Sequence, residues 1–383
     1  MVPVAPIVAT TPEALAHEKI DASLTQAGWV VQDLEDMNLG AAQGVAIREF
    51  HTNVGPCDYL LFVDGQAVGV VEAKKAGVSL VGVEPQTADY AKHVPKGLQV
   101  PVRPLPFLYE STGTDTRFTN RLEPVPRSRG VFNIHQPATL ARWLRAELDR
   151  RDGKPNAPVA PTLIGRMKLA PEVNTAGMWP AQIQAVKNLE ESIKAARPRA
   201  LVQMATGSGK TYTTISAVYR LIKHGGAERV LFLVDRGNLG RQALKEFQAY
   251  TTPDDGRKFT KLYNVTHLHS NKIDPVNRVV ITTIQRLYSI LKGEPEFDED
   301  TEERSDFATS SLIREPPPVV YSQYIPPEFV DVLVTDECHR SIYTLWRQVL
   351  EYFDASMIGL TATPAKRTFA FFNKNLVRSG VDG

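Results

Sequence analysis

The chain has 383 residues, 43% of them apolar and 23% charged, with a formal charge of +1. Such a length exceeds one hydrophobic core and predicts two or three domains. The near-neutral balance excludes a global basic field, so a nucleic-acid partner would need a local patch. The two cysteines, Cys57 and Cys338, exclude a disulfide scaffold and lack zinc-site spacing. The opening "MVPVAPIVATTPEALAHEK" has no basic segment followed by an apolar one, so it does not read as a signal peptide. No run is long and apolar enough to span a bilayer, and a cytoplasmic protein with no membrane partner is expected.

Helical and strand-like patterns fill the front, from Pro12 to Leu148. Within it, "CDYLLFVDGQAVGVVEAKK" (Cys57 to Lys75) has two β-type runs flanking Asp64-Gly65, a hairpin signal. Glu72 and Lys74 are two apart on the second run and share one face. An acid and a lysine beside Asp58 are the parts of a hydrolytic metal site: Asp58 and Glu72 to bind Mg²⁺, Lys74 to orient water and stabilise charge at phosphorus. Register tests this. A plain two-residue loop pairs Val63 with Gln66 and puts Asp58 on the face opposite Glu72. A three-residue loop, or one bulge, brings Asp58, Glu72 and Lys74 to one face. If this is a site, an irregularity is expected. The alternative is a solvated hairpin edge.

The stretch "RRDGKPNAPVAPT" (Arg150 to Thr162) is rich in Pro and charge and reads as a linker. From Gly177 onward, apolar runs alternate with helical stretches. "ALVQM", "RVLFLVD", "RVVITTI", "VDVLVTDE" and "SMIGLTATP" are the expected strands of a parallel sheet. The acidic and then Pro-rich segment Lys292 to Pro318 is expected to be a mobile surface loop.

After the first of these strands comes "MATGSGKTY". It keeps Gly207, Gly209, Lys210 and Thr211 of a phosphate loop, with Met204 in place of the first glycine. Glycines let backbone N–H groups close around phosphate, and the following helix adds its dipole. Thr206, Gly207, Ser208, Gly209, Lys210 and Thr211 are the candidate nucleotide contacts, with Thr211 offering a hydroxyl to Mg²⁺. Downstream, Asp336 and Glu337 end an apolar run. Asp336 is the candidate metal carboxylate and Glu337 the candidate group polarising water. Thr361 and Thr363, in "LTATP", could link this site to a moving element.

"MATGSGKT", "DECH" and "TAT", in that order, resemble motifs I, II and III of superfamily 2 helicases and translocases. Gln182 in "WPAQIQAV" resembles the adenine-reading glutamine of that superfamily, and "FLVDRGNLGRQALKEF" and "ITTIQRL" its nucleic-acid-contacting motifs. The front resembles the D…E-x-K core of restriction-type nucleases. "HEKIDASLTQAGW", "GVAIREF", "DYLLFVDGQAVGVVEAKK" and "QTADY" resemble the N-terminal nuclease domain of the restriction (R) subunit of type I restriction enzymes. The resemblance implies that Gln86 and Tyr90 complete the front site and that Glu18 supports it.

It also implies a restriction-endonuclease-like mixed α/β/α domain (residues 1–150), a linker (151–170) and one RecA-like parallel-sheet P-loop domain (171–383). ATP and Mg²⁺ would be the cofactors; double-stranded DNA and the methylation and specificity subunits would be the partners. The implied activity is DNA cleavage coupled to ATP-driven translocation. A second motor lobe normally supplies arginines worth about a thousandfold or more in rate. None is seen before Gly383, so a fragment with slow, uncoupled ATP hydrolysis is expected. Lys74, Lys75, Arg236, Arg241 and Arg286 are candidate phosphate contacts. The competing readings are a superfamily 2 helicase or remodeller with a non-cutting front domain, and an inactive remnant.

Overall fold

A computed structural model describes residues 11–297, 318–338, 347–373 and 375–378. The chain divides into two compact units, Met1–Asp152 and Gly153–Gly383. Most of the segment expected to be a mobile loop, residues 298–317, lies outside the described residues.

The front unit opens with helix α1 (Pro12–Gln26), capped by Thr11, whose side chain accepts from Ala14 N. Ala16, Ile20 and Leu24 repeat every four residues and form its buried stripe. Seven strands follow: β1 (Val30–Gln32), β2 (Gly44–Thr52), β3 (Gly55–Val63), β4 (Gln66–Ala73), β5 (Phe107–Ser111), β6 (Thr116–Asn120) and β7 (Arg129–Val131). They lie in one sheet in chain order. Two pairs are parallel, β1 with β2 and β4 with β5; the others are antiparallel. Parallel neighbours need a crossover, and helix α2 (Glu84–Lys92) lies in the one between β4 and β5. Helix α3 (Pro137–Arg151) closes the unit.

The β3–β4 turn is the two-residue form, Val63 opposite Gln66, with Asp64 and Gly65 both at positive φ. Register then slips between Leu61 and Phe62: Phe62 faces Ala67, but Leu61 faces Gly69. Val68 is the extra residue. One step beyond the last pair, Tyr59 with Val71, Asp58 therefore stands across from Glu72 rather than from Val71. The irregularity expected for a site is a bulge and not a longer turn.

The second unit begins with α4 (Leu163–Lys168), inside the segment expected as linker, with Met167 fully buried. Then come α5 (Pro180–Lys194), β8 (Arg199–Gln203), α6 (Lys210–Lys223), β9 (Val230–Val234), α7 (Gly237–Ala249), α8 (Phe259–Leu262), β10 (Val265–His267), β11 (Val279–Thr283), α9 (Ile284–Leu291) and β12 (Val332–Thr335). A helix at Arg347–Tyr352, β13 (Ser356–Thr361), a helix at Lys366–Phe371 and β14 (Leu376–Arg378) complete the described elements. Among the described residues the sheet has seven strands in the order β10-β11-β9-β12-β13-β8-β14, every pair parallel. The five apolar runs read from the sequence are its five central strands.

Strand alternation gives this sheet two cores. Val230, Phe232 and Val234 pack with Val218, Leu221 and Phe247 on one face, while Leu231 and Leu233 pack with Leu287, Leu333 and Leu350 on the other. Each fully buried aliphatic side chain contributes about 1.5–3 kcal/mol. That explains runs of consecutive apolar residues in place of strict alternation. Among the described residues, no helix is long and apolar enough to cross a membrane.

Candidate functional sites

The front unit brings the expected residues together. Asp58 Oδ2 accepts the Ala73 amide at 2.7 Å, where the next ladder bond would fall. Lys74 Nζ donates to Glu72 Oε1 at 2.7 Å and to Gln86 Oε1 at 3.1 Å. Gln86 Nε2 in turn donates to Tyr90 Oη at 3.2 Å. Gln86 and Tyr90 are one turn apart on α2, which packs against β4 and β5.

Glu72 is only 4% exposed, and its Oε2 is buried without a hydrogen-bond partner. Burial pushes its carboxyl up to about 7; the Lys74 bond opposes the shift and nearby Asp58 adds to it. An orphaned buried oxygen between two acids is what a divalent cation relieves, so the donor set fits the Mg²⁺ expected from the sequence. Beside Glu72 on β5 lies Glu110, fully buried, with both carboxyl oxygens unpartnered and burial likewise raising it to about 7.

Two residues of this neighbourhood were not singled out from the sequence. Glu18 is exposed on α1, and its neighbour His17 faces the sheet. His17 Nε2 lies 3.5 Å from Asp58 Oδ1, and its Nδ1 lies 3.1 Å from Tyr59 Oη. The expectation that Glu18 supports the site is therefore corrected by one residue: the Ala16–Ile20–Leu24 stripe turns position 17 inward and position 18 out. Glu49, across from Asp58 on β2 at φ 47, is the second. The His17–Asp21 spacing of one turn was the available signal; nothing local marked Glu49.

In the second unit the loop after β8 has Gly207 at φ 80 and Gly209 at φ 81, immediately before α6 begins at Lys210. Only glycine adopts this at no cost. A Cβ on Gly209 would also stand 2.3 Å from Gln182 Nε2. Gln182 is buried against the loop, its Nε2 donating to Ser208 O at 3.4 Å and its Oε1 accepting from Trp179 N. Ser208 Oγ closes back on Ala205 O at 2.6 Å, Thr206 is exposed, and Thr211 is half-buried. Met204, standing where the pattern has glycine, is buried in the core, and its amide donates to Thr361 O at 3.1 Å.

Asp336 and Glu337 follow β12 directly, and Glu337 sits at φ 48. Lys210 Nζ lies 3.5 Å from Glu337 Oε1. Burial, with Glu337 alongside, pushes Asp336 up to about 6, against the pull of Lys210. Thr361 is fully buried on β13, between the strands that carry these groups, and its Oγ1 accepts from Thr363 N. His339 and Arg340 lie outside the described residues. Of the candidate phosphate contacts, Lys75 and Arg241 are exposed and Arg236 pairs with Asp235 at 3.5 Å. Arg286 is a correction: it is 1% exposed, with its guanidinium over Phe297, so it is a core residue and cannot meet a phosphate.

With both geometries in view, comparison with known proteins shows what the chain resembles. Residues 39–103 match the family described as "Type I restriction enzyme EcoKI endonuclease subunit second domain", and residues 176–366 match "Type III restriction enzyme, res subunit". Across 94% of the chain it is 27% identical to the Type I restriction enzyme EcoKI endonuclease subunit of Escherichia coli strain K12. The chain is similar to the endonuclease subunits of type I restriction enzymes.

The EcoAI endonuclease subunit of Escherichia coli is 33% identical over 48% of this chain, and the SauMSSORF170P subunit of Staphylococcus aureus strain MSSA476 is 25% identical over 80%. The chain spans 33%, 19% and 30% of the lengths of these three relatives. The two family descriptions name different restriction classes, and the match along nearly the whole chain favours type I.

Proposed function

We propose that this type I restriction subunit chain couples two chemistries: Mg²⁺-dependent cleavage of double-stranded DNA by the front unit, and ATP-driven DNA translocation by the second. The front unit is read as a restriction-endonuclease-like domain and the second as a RecA-like motor lobe. The observation that carries the reading is the Lys74 amine, held between Glu72 and Gln86 at the end of a bulged hairpin that sets Asp58 across from Glu72.

In the front site Asp58 and Glu72 would hold the cation, which supplies charge stabilisation at the scissile phosphate when bound. Lys74 lies where its ammonium can orient water and offset the negative charge that develops at phosphorus. Gln86 and Tyr90 fix the position of Lys74. In the second unit the Gly207 and Gly209 backbone, with the start of α6, would take the β- and γ-phosphates of ATP beside Lys210. Thr211 and Asp336 would hold Mg²⁺, Glu337 would orient water, and Gln182 would read adenine. The methylation and specificity subunits would choose the DNA site, in the cytoplasm.

Supercoiled plasmid incubated with Mg²⁺ tests the cleavage half. The wild-type chain is expected to nick it, with loss of at least about a hundredfold in Glu72→Ala and in Lys74→Ala. Metal-independent DNA binding without nicking would overturn this in favour of a non-cutting front domain.

A further inference from the structure

Helix α2 carries Gln86 and Tyr90, yet little apolar surface fastens it. Only Thr87 and Ala91 are buried along it, and both are small. Tyr90 is only partly buried against the front core. With no large aliphatic side chain on its inner face, α2 draws little from apolar burial. A polar contact is left to set where it lies on β5.

Thr87, the residue next to Gln86, is fully buried, and its Oγ1 has no hydrogen-bond partner. Glu110 on β5 is fully buried too, with both carboxyl oxygens unpartnered. The Thr87 hydroxyl is close enough to act on the Glu110 carboxyl, pulling against the burial that raises it. The cross-strand neighbour on β6, Arg117, does not serve Glu110. Its guanidinium turns to Ser128, with Nε 2.8 Å from Oγ and Nη2 2.9 Å from the carbonyl oxygen. Buried polar groups persist where they find partners, because an orphaned one bears the full cost of its lost hydration. Facing each other, Thr87 and Glu110 close on one another through a hydroxyl–carboxyl bond or one shared water.

We propose that Glu110 is a positioning residue for the cleavage site: through Thr87 it seats α2 on β5, and so fixes Gln86 and the Lys74 amine that Gln86 holds. The link is short. Thr87 adjoins Gln86, whose Oε1 accepts from Lys74 Nζ at 3.1 Å. The role needs a hydrogen-bonding group at position 110 and not a charge, since a glutamine amide offers Thr87 both a donor and an acceptor. The inference deepens the cleavage reading and rests on it only in giving Lys74 its part in that reaction.

Timed acylation of the intact chain, with Lys74 and the exposed Lys75 followed by mass spectrometry, tests it beside the plasmid-nicking assay. Glu110→Ala is expected to raise labelling of Lys74 relative to Lys75 about fivefold and to lower nicking about tenfold, in kcat and not in KM for DNA. Thr87→Val, which keeps the shape and removes the hydroxyl, is expected to do the same. Glu110→Gln is expected to stay within about twofold of the wild type in both readouts. Because Glu110 acts through Gln86, adding Glu110→Ala to Gln86→Ala is expected to cost nothing further. Unchanged Lys74 labelling in Glu110→Ala and Thr87→Val, or losses that add in full to that of Gln86→Ala, would overturn the proposal. Thr87→Val decides if Glu110→Ala folds poorly. Lys74 loosened by these variants in a chain that never nicks DNA would sink the cleavage reading and leave the positioning standing; nicking with Lys74 labelling unmoved would do the reverse.

Discussion

The two units build a lysine-and-carboxylate site by different means. In the second unit every described strand runs the same way, so strand ends collect at one edge. Lys210 opens the helix after β8, Asp336 and Glu337 follow β12, and Thr361 ends β13. Topology alone makes them neighbours. The front sheet is mixed, and its acids project from β3, β4 and β5. There, register decides everything, and register depends on one extra residue, Val68. One site is fixed by chain direction and tolerates strand slippage poorly only at its loop; the other exists because of a bulge.

That contrast predicts independence, and the sharpest break would be a variant that disables both sites. Lys210→Ala should weaken ATP binding by at least about a hundredfold, since the lysine is the main charge on the β- and γ-phosphates. It should leave divalent-metal binding in the front unit unchanged. Lys74→Ala should do the converse: lost nicking with nucleotide affinity intact. Calorimetric titration of each variant with ATP and with Mn²⁺, together with the plasmid-nicking assay for Lys74→Ala, checks both arms. Joint loss would mean that the sites share a folding unit or a ligand.

A second difference is electrostatic, and pH sharpens it. Glu110 is fully buried, and burial raises its folded-state carboxyl to about 7 from an ordinary 4.5. The folded state thus binds a proton that the unfolded chain has released. The stabilising effect is complete below about pH 4.5 and is lost as pH rises through about 7. Glu72 has the same sign. Without divalent metal, stability of the front unit should fall from pH 5 to pH 8, by about 2 kcal/mol from Glu110 alone. Glu110→Gln, neutral at every pH, should flatten the fall. Urea unfolding in a chelator, followed by a front-unit probe such as Trp29 fluorescence, measures it. An unchanged slope in the variant would show Glu110 ionised and paired in the folded chain.

Legibility followed the same divide. The five central strands of the second unit could be read from the sequence because each carries a run of consecutive apolar residues, the signature of a strand buried on both faces. The three-residue strands β10 and β14 were missed, being too short for any period to show. The turn between β8 and α6 was legible despite Met204 because Gly207 and Gly209, the glycines the pattern keeps, are the ones at positive φ. Met204 instead fills core space before the loop turns. In the front, the need for an irregularity followed from parity, but its form did not. Turn and bulge satisfy the same count, and only packing chooses between them. His17 was missed in favour of Glu18 for want of the helical phase that Ala16, Ile20 and Leu24 supply. Arg286 illustrates the reverse error: a charge read as surface that the fold buries.

The smallest effect concerns Tyr90. Its hydroxyl touches neither Glu72 nor Lys74; it accepts from Gln86, which accepts from Lys74. Tyr90→Phe removes one partly exposed neutral hydrogen bond, about 0.5–1.5 kcal/mol of positioning. Passed through a side chain that keeps its other contacts, this should lower nicking by only about two- to fivefold, in kcat and not in KM for DNA. Gln86→Ala, which frees the Lys74 amine directly, should cost more. The ranking Lys74 over Gln86 over Tyr90 is what a chain of supports predicts, since each link outward acts through the one before it. A Tyr90→Phe loss as large as that of Lys74→Ala would break the chain and place the phenol on the DNA or the metal itself.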